Sequence, residues 1–156
     1  MLARIRTSTK EKDQGFTLIE LLVVMIIIGI LAAIAIPVFL SQRQKARDTA
    51  AKADVSTLGK EIATYFIDNT SAPSVAVASG RYQVNGADAG KQSSGIGLIT
   101  GYGATTTTGA SLTTTGMTAT TWCVAVKDTV GSSPTVYKYS AQNGLETGNC
   151  TSASAP

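Results

Sequence analysis

The longest apolar run in the chain lies close to its N-terminus. Leu21–Leu40 is a stretch of twenty residues without a charged side chain. A helix rises about 1.5 Å per residue, so a run of this length spans the roughly 30 Å hydrocarbon core of a bilayer. We therefore predict that residues 16–40 form a hydrophobic helix that is covered by lipid or by other protein.

An amphipathic pattern follows the apolar run without an intervening turn signal. Apolar side chains recur every three or four positions, as in a helix with one buried face: Val55, Leu58, Ile62, Tyr65 and Phe66. We predict a single helix from Phe16 to Ile67, in which residues 41–69 are the amphipathic continuation. Pro37 removes one backbone hydrogen bond within it, so a kink is expected there; the alternative is that Pro37 ends the first helix.

The rest of the chain, residues 70–156, is predicted to form a β-rich globular head. Residues 71–95 are rich in Ala, Ser and Gly and are expected to be a connecting loop with at most short strands, such as Arg81–Val84. The later candidate strands are Ile96–Thr100, Ser111–Thr115, Thr120–Lys127 and Val136–Ser140. A small antiparallel sheet packed on the amphipathic part of the helix gives an α+β fold.

Alternation within the third of these strands assigns its two faces. The even-numbered residues from Trp122 to Val126 fall on one face, and Cys123 and Ala125 fall on the other. Residues 128–134 have the composition of a turn and separate this strand from the next.

Charge is concentrated in the first fifteen residues of a chain whose net charge is +3. Basic residues at positions 4, 6, 10 and 12 outweigh two acidic ones there, which favours a cytoplasmic location for that end. From Phe16 onward nine basic and eight acidic side chains nearly cancel, so no direct nucleic-acid binding is predicted. Arg43, Lys45 and Arg47 are assigned to a solvated or subunit-facing helix surface.

The chain has two cysteines, Cys123 and Cys150. In a protein that leaves the cytoplasm they suggest one disulfide, whereas in a cytosolic protein they would more often be free buried thiols. A disulfide would close a loop of 28 residues and tie the C-terminal tail to the sheet.

No catalytic, metal or cofactor site is predicted. The chain contains no histidine, the commonest general base and metal ligand, and two cysteines alone cannot form a zinc site. The glycines of Gly95–Gly101 are misplaced for a dinucleotide loop, and no strand–loop–helix unit surrounds them. Asp128 and Glu146 could contribute to a calcium site, but no cluster of carboxylates accompanies them in the sequence.

Three interpretations of residues 1–40 compete. They are a simple membrane anchor, a secretory signal cleaved after a small-residue site that ends at Ala35, and a leader cleaved before the apolar run. Glu20 separates them, because an ordinary secretory signal has no need for a carboxylate at the start of its apolar region. A charge is costly in lipid, although the positive end of the helix dipole makes it tolerable at this position.

The residues around Glu20 carry a resemblance to a known family. Gly15-Phe16-Thr17-Leu18-Ile19-Glu20-Leu21 and the apolar run to Pro37 resemble the N-terminus of type IV pilins and pseudopilins. The resemblance implies a type IV pilin-like fold and a prepilin leader, residues 1–15, removed between Gly15 and Phe16 by a prepilin peptidase and methyltransferase. It also implies N-methylation of Phe16 and, during assembly, pairing of Glu20 with the Phe16 amine of a neighbouring subunit.

The function implied by this resemblance is structural. The chain would be held in the lipid of the cytoplasmic (inner) membrane as a single-pass precursor. It would then polymerise with copies of itself, on a pilus assembly platform, into a cell-surface pilus for adhesion, twitching motility or DNA uptake. The alternative within the family is a pseudopilin of a type II secretion or competence system. An interpretation from another class is a secreted binding domain cleaved before Ile36.

The resemblance also bears on the C-terminal part of the head. Family members often have a disulfide that bounds a variable C-terminal region, which favours a bridge between Cys123 and Cys150. The threonine-rich segment 103–121 suits exposed strands and loops. O-glycosylation or surface adhesion is the functional alternative for that segment.

Overall fold

A computed structural model describes residues 15–99, 111–112, 116–130 and 135–150. Within these residues the chain has one α-helix, α1 (Leu18–Asp68), followed by eight β-strands. The chain divides after Leu40 into two compact units, and α1 contributes to both. The α+β fold class predicted from the sequence is confirmed.

Helix α1 is continuous through Pro37 and covers 51 residues. It begins two residues after the predicted start and ends at Asp68, one residue beyond the predicted end. The alternative in which Pro37 ends the first helix is therefore wrong, because the alanine-rich and polar segment that follows favours continuation of the helix. The expected kink at Pro37 stays a prediction.

The strands are short and pair antiparallel in two sheets of four. In chain order they are β1 (Val75–Ala78), β2 (Arg81–Val84), β3 (Ala87–Lys91), β4 (Ile96–Leu98), β5 (Ser111–Leu112), β6 (Cys123–Asp128), β7 (Val136–Ser140) and β8 (Gly144–Thr147). The first sheet has the order β3-β2-β1-β5, and the second has the order β4-β6-β7-β8. One small sheet was expected, whereas the described residues of the head form two.

The first sheet is built mainly from residues 71–95, which were expected to be a connecting loop with at most short strands. The strands are short, and β2 has the expected bounds Arg81–Val84, but together they form an ordered sheet. Strands β1, β2 and β3 form a meander with two-residue turns, Ser79-Gly80 and Asn85-Gly86. All four turn residues have positive φ, between 51° and 79°, as in the mirror-image turns that match the twist of the strands. Asn-Gly is a strong hairpin signal, whereas the alanines and glycines of the strands are weak strand formers.

The second sheet follows the strands predicted late in the chain, with shifted ends. β4 ends at Leu98, β6 begins at Cys123 rather than Thr120, and β7 has the predicted bounds. β8 has no counterpart among the predicted strands, because its glycine and glutamate are weak strand formers. Residues 100, 113–115 and most of the threonine-rich segment lie outside the described residues.

Strand β6 lies inside the second sheet and is buried on both faces. Val124 and Val126 pack in the main core together with Trp122, while Cys123 and Ala125 pack in a separate cluster. The predicted alternation of these residues between two faces is therefore confirmed.

One face of α1 joins both sheets in a single core. Its buried side chains follow the predicted helical spacing, with Tyr65 at the margin: Ala51, Val55, Leu58, Ile62 and Phe66. The first sheet adds Val75, Val77, Tyr82, Val84 and Ala89, and the second adds Ile96, Leu98, Val124, Val126 and Tyr137. Burial of each large apolar side chain stabilises the head by about 1.5–3 kcal/mol.

Gly59 allows Tyr139 to approach the helix closely. A Cβ atom at position 59 would lie 2.5 Å from Cδ1 and 2.6 Å from Cγ of Tyr139. The Tyr139 ring also stacks on Trp122, with ring centroids 5.9 Å apart and an interplanar angle of 9°. The glycine weakens the intrinsic helix propensity of α1, but it permits the contact between α1 and the second sheet.

We expect Gly59→Ala to destabilise the head by about 1–3 kcal/mol, because the Tyr139 ring and the stacked Trp122 must shift. Urea unfolding of the detergent-solubilised chain, followed by the fluorescence of Trp122, measures the change. In a Tyr139→Ala background the same substitution should be neutral or stabilising, since alanine has the higher helix propensity. An equal loss of stability in both backgrounds would contradict this contact.

Candidate functional site

Helix α1 begins with a reciprocal set of hydrogen bonds between two residues. The backbone N–H and the hydroxyl of Thr17 both donate to Glu20 Oε2, at 2.8 and 2.7 Å. In return, the backbone N–H of Glu20 donates to Thr17 Oγ1 at 3.3 Å. This arrangement is a capping box, which satisfies backbone donors that the first turn of a helix leaves without partners.

The capping box gives Glu20 a role inside its own chain. From the sequence, Glu20 is predicted only as an assembly residue. The spacing Thr-x-x-Glu over residues 17–20, directly before an apolar run, is the signal that identifies the cap. The carboxylate is held next to the peptide N–H that follows Phe16.

The large apolar side chains from Phe16 to Leu40 are exposed along the whole segment. Their exposed fractions range from 47% at Val23 to 89% at Phe16. Soluble proteins rarely expose a contiguous apolar patch larger than a few hundred Å². By length and composition, α1 is the one helix in the described part of the chain that could cross a membrane.

Glu20 lies on this segment among exposed apolar side chains, those of Phe16, Ile19, Val23 and Val24. Thr17 satisfies lone pairs of the carboxylate but does not neutralise its charge. In lipid or in a protein interior such a charge is costly unless a cation approaches. The arrangement is therefore suited to accept a cationic partner.

A second carboxylate of α1 is buried in the head. Asp54 is 7% exposed and accepts hydrogen bonds from the Tyr82 hydroxyl at 3.0 Å and from the backbone N–H and hydroxyl of Ser93 at 2.9 and 2.7 Å. These bonds tie α1 to β2 and to the loop between β3 and β4. The helical pattern places Asp54 among the polar positions beside Val55 and gives no sign of this burial.

The two carboxylates considered for a calcium site are not brought together. Asp128 ends β6 and Glu146 lies in β8, with β7 between them. Asp128 is fully buried, with Oδ2 3.8 Å from Arg47 Nη1, and Glu146 pairs with Lys138 at 3.2 Å. Arg47 thus faces its own head, which corrects its assignment to a solvated or subunit-facing surface. Over the described residues, no three acidic, His or Cys side chains gather to hold a metal.

Cys123 and Cys150 form a disulfide, with their Cα atoms 5.9 Å apart. Both are buried in a small cluster with Ile99 and Ala125. The chain reaches this cluster by passing along β7, where the N–H of Gly148 donates to the carbonyl of Val136. The disulfide therefore ties the C-terminal segment to the central strand of the second sheet, as expected.

Part of the chain is similar to known proteins. The prokaryotic N-terminal methylation motif matches residues 11–36. The chain is 40% identical to the type II secretion system core protein G of Pseudomonas aeruginosa, over 42% of this chain and 46% of that protein. It is 50% identical to the type IV wide pilus major component PilA4 of Thermus thermophilus, over 37% of this chain and 44% of that protein. It is 44% identical to the type IV major pilin protein PilA of Myxococcus xanthus, over 35% of this chain and 25% of that protein.

The chain spans less than half of the length of each of these relatives. No solved structure gives a significant match. The methylation motif includes Phe16 and Glu20, so the matched segment contains the capping box and most of the exposed apolar surface.

We expect Tyr82 to make the head sensitive to alkaline pH. Burial of the phenol, together with the charge of Asp54 and the hydrogen bond to it, raises the pKa of Tyr82 above its usual value of about 10. The folded protein therefore keeps this proton after the unfolded chain has begun to lose it. The stability from this group is fully present below about pH 10 and decreases as the pH rises further.

Urea unfolding of the wild type and of Tyr82→Phe, measured from pH 8 to 11, checks this expectation. Above about pH 10 the free energy of unfolding of the wild type should fall more steeply than that of the variant, by up to about 1.4 kcal/mol per pH unit. Parallel curves for the two proteins would contradict the raised pKa of Tyr82.

Proposed function

We propose that this chain, whose N-terminal segment is a prokaryotic N-terminal methylation motif of the type IV pilin and pseudopilin kind, is a structural subunit of a type IV pilus. Residues 16–40 would hold the precursor in the cytoplasmic membrane. A prepilin peptidase and methyltransferase would cleave after Gly15 and N-methylate Phe16. An assembly platform would then polymerise the subunits into a surface filament for adhesion, twitching motility or DNA uptake. We assign the chain no catalytic function.

The observation that carries this function is the exposed apolar surface of α1 between Phe16 and Leu40. Lipid would cover this surface in a monomer, and the same surface of other copies would cover it in a filament. Lipid tails are as apolar as leucine, so transfer from one environment to the other has little hydrophobic driving force. A specific polar contact is therefore needed to favour the filament and to define its geometry.

Glu20 is suited to supply that contact. Its carboxylate lies beside the peptide N–H that follows Phe16, at the end of the helix where cleavage would create a free amine. The amine of a neighbouring copy would neutralise the carboxylate where an unpaired charge costs several kcal/mol. Such a pair forms at a single axial offset between two helices. It therefore selects the arrangement of subunits more than it adds stability.

A pseudopilin of a type II secretion system is the second candidate. The similarity to core protein G supports it as directly as the similarity to pilus components supports a pilin. Imaging of cells that express the chain at its native level separates the two. Surface filaments that disappear on deletion favour the pilus, whereas loss of protein secretion without surface filaments favours the pseudopilin.

Processing is tested by intact mass and N-terminal sequencing of the protein isolated from the native cell envelope. We expect a chain that begins at N-methylated Phe16. A chain that begins at Ile36 would show that the apolar segment is an ordinary secretory signal. A chain that retains residues 1–15 would show that it is a simple anchor, and either result would overturn the proposed function.

Glu20→Gln tests the role of the carboxylate, because it keeps an oxygen acceptor for Thr17 and removes the charge. We expect normal processing but a filament yield at least about tenfold lower, since the amine loses its counter-charge. Sheared filaments, quantified by immunoblot and electron microscopy, give the yield. Asp88→Asn is the matched control, because it removes an equal charge from an exposed ion pair with Arg81. Normal filaments from Glu20→Gln would contradict the pairing.

A further inference from the structure

Helix α1 carries two matched pairs of charged side chains beyond its apolar segment. Lys45 and Lys52 are seven positions apart, and Glu61 and Asp68 are also seven positions apart. Seven residues make almost two helical turns, so the members of each pair lie on one face of α1. Lys45 precedes Glu61 by 16 positions, and Lys52 precedes Asp68 by the same number. The acidic pair is therefore a copy of the lysine pair, displaced by 16 residues along the helix.

The two pairs point in nearly opposite directions. Each residue advances the direction of the side chain by about 100° around the helix axis. Two side chains 16 residues apart therefore differ in direction by about 160°, after four full turns. Contacts within the head agree with this rotation. Lys52 Nζ lies 5.1 Å from the ring centroid of Tyr137 in the second sheet, whereas Glu61 and Asp68 line a groove together with Val84 of the first sheet. Lys52 therefore lies beside the second sheet, and the two carboxylates lie beside the first.

All four side chains are exposed. Over the described residues, none of them has an opposite charge within ion-pair distance. Asp48 lies three positions after Lys45 and four before Lys52, where helical side chains are neighbours, but it is half-buried. It accepts a hydrogen bond from Gln44 and interacts with the hydroxyl of Tyr137. Apart from the contact of Lys52 with the Tyr137 ring, the lysine pair and the acidic pair thus remain available for contacts outside the chain.

We propose that Lys45 and Lys52 of one copy of this chain pair with Glu61 and Asp68 of a neighbouring copy. This inference rests on the proposed function, because it requires parallel α1 helices that lie side by side in a filament. The offset of 16 residues corresponds to a stagger of about 24 Å along the helix axis. Both ion pairs form together at this stagger, and a slip of one helical turn, about 5.4 Å, separates both.

The opposite directions of the two pairs determine the kind of assembly. Each copy presents its lysines to one neighbour and its carboxylates to another, so the contact is head-to-tail rather than two-fold symmetric. A head-to-tail contact that does not close on itself produces an open helical filament. Because the ion pairs are exposed, each contributes little stability and is weakened by salt. Their effect is to select one stagger among neighbouring ones.

Charge reversal in the full-length chain tests the contact. Lys45→Glu combined with Lys52→Glu should lower the filament yield about tenfold, by placing like charges against Glu61 and Asp68. Glu61→Lys combined with Asp68→Lys should do the same. All four substitutions together should restore the yield to within about twofold of the wild type, since the pairs are re-formed with reversed polarity.

The matched control makes the same change in net charge elsewhere. Lys60→Glu combined with Lys91→Glu alters one residue on the same helix, outside the two faces, and one in β3. We expect this control to assemble like the wild type. A control as defective as the double lysine variant, or a fourfold variant that stays defective, would overturn the inference.

A crosslink separates this inference from the proposed function. Lys45→Cys and Glu61→Cys in one chain lie about 24 Å apart along α1, too far for a disulfide within one copy. Cys123 and Cys150 are already paired and buried. Mild oxidation of isolated filaments should therefore give a ladder of covalent oligomers, whereas Lys45→Cys with Asp68→Cys should give mainly monomer.

The outcomes of the crosslink are distinct. Filaments that give no ladder for positions 45 and 61, or an equal ladder for positions 45 and 68, would overturn the stagger and leave the pilin assignment intact. A wild-type chain that forms no filament in its native cell would instead overturn the proposed function. A ladder confined to positions 45 and 61 would support both.

Discussion

An apolar helix surface that its own chain leaves uncovered is the constraint on which the rest of this protein depends. Between Phe16 and Leu40 the large apolar side chains are about half exposed or more. Covering each of them is favourable by about 1.5–3 kcal/mol relative to water. The segment is therefore compatible with lipid or with other protein around it. In the capping box, the side chains of Thr17 and Glu20 accept hydrogen bonds from backbone N–H groups at the start of the helix, and neither side chain is a cation.

In the second half of the same helix, the apolar side chains are buried by the chain's own head. This apolar stripe packs against both sheets, with Tyr65 at the margin, and Gly59 allows the second sheet to come close. Asp54 binds Tyr82 of the first sheet and Ser93 of the loop that follows it. Each contact fastens the head to α1.

Apolar contacts and charged contacts have different consequences for assembly. Side chains such as those of Leu21–Leu40 associate over many axial offsets, because dispersion and burial are not directional. Charged contacts, by contrast, form only at particular offsets. Glu20 would act in the apolar part of a filament, and the lysine and carboxylate pairs of α1 would act in its solvated part. Both would select the geometry of a filament, because the apolar surface is covered about equally well by lipid and by other copies.

The sequence by itself determined the features that depend on local pattern. The uncharged run and the three- and four-residue spacing identify α1, and period-two alternation assigns the faces of β6, because each is a regular repeat along the backbone. The meander of β1 to β3 was harder to predict. Asn85-Gly86 is a strong turn signal, but the alanines and glycines of β1 and β3 have low strand propensity, so the strands on either side of the turns are not evident from the pattern. Only the tertiary structure decided that Asp54 is buried against Ser93 and that Asp128 pairs with Arg47. These contacts join residues tens of positions apart, and no local pattern records which distant group will satisfy a buried charge.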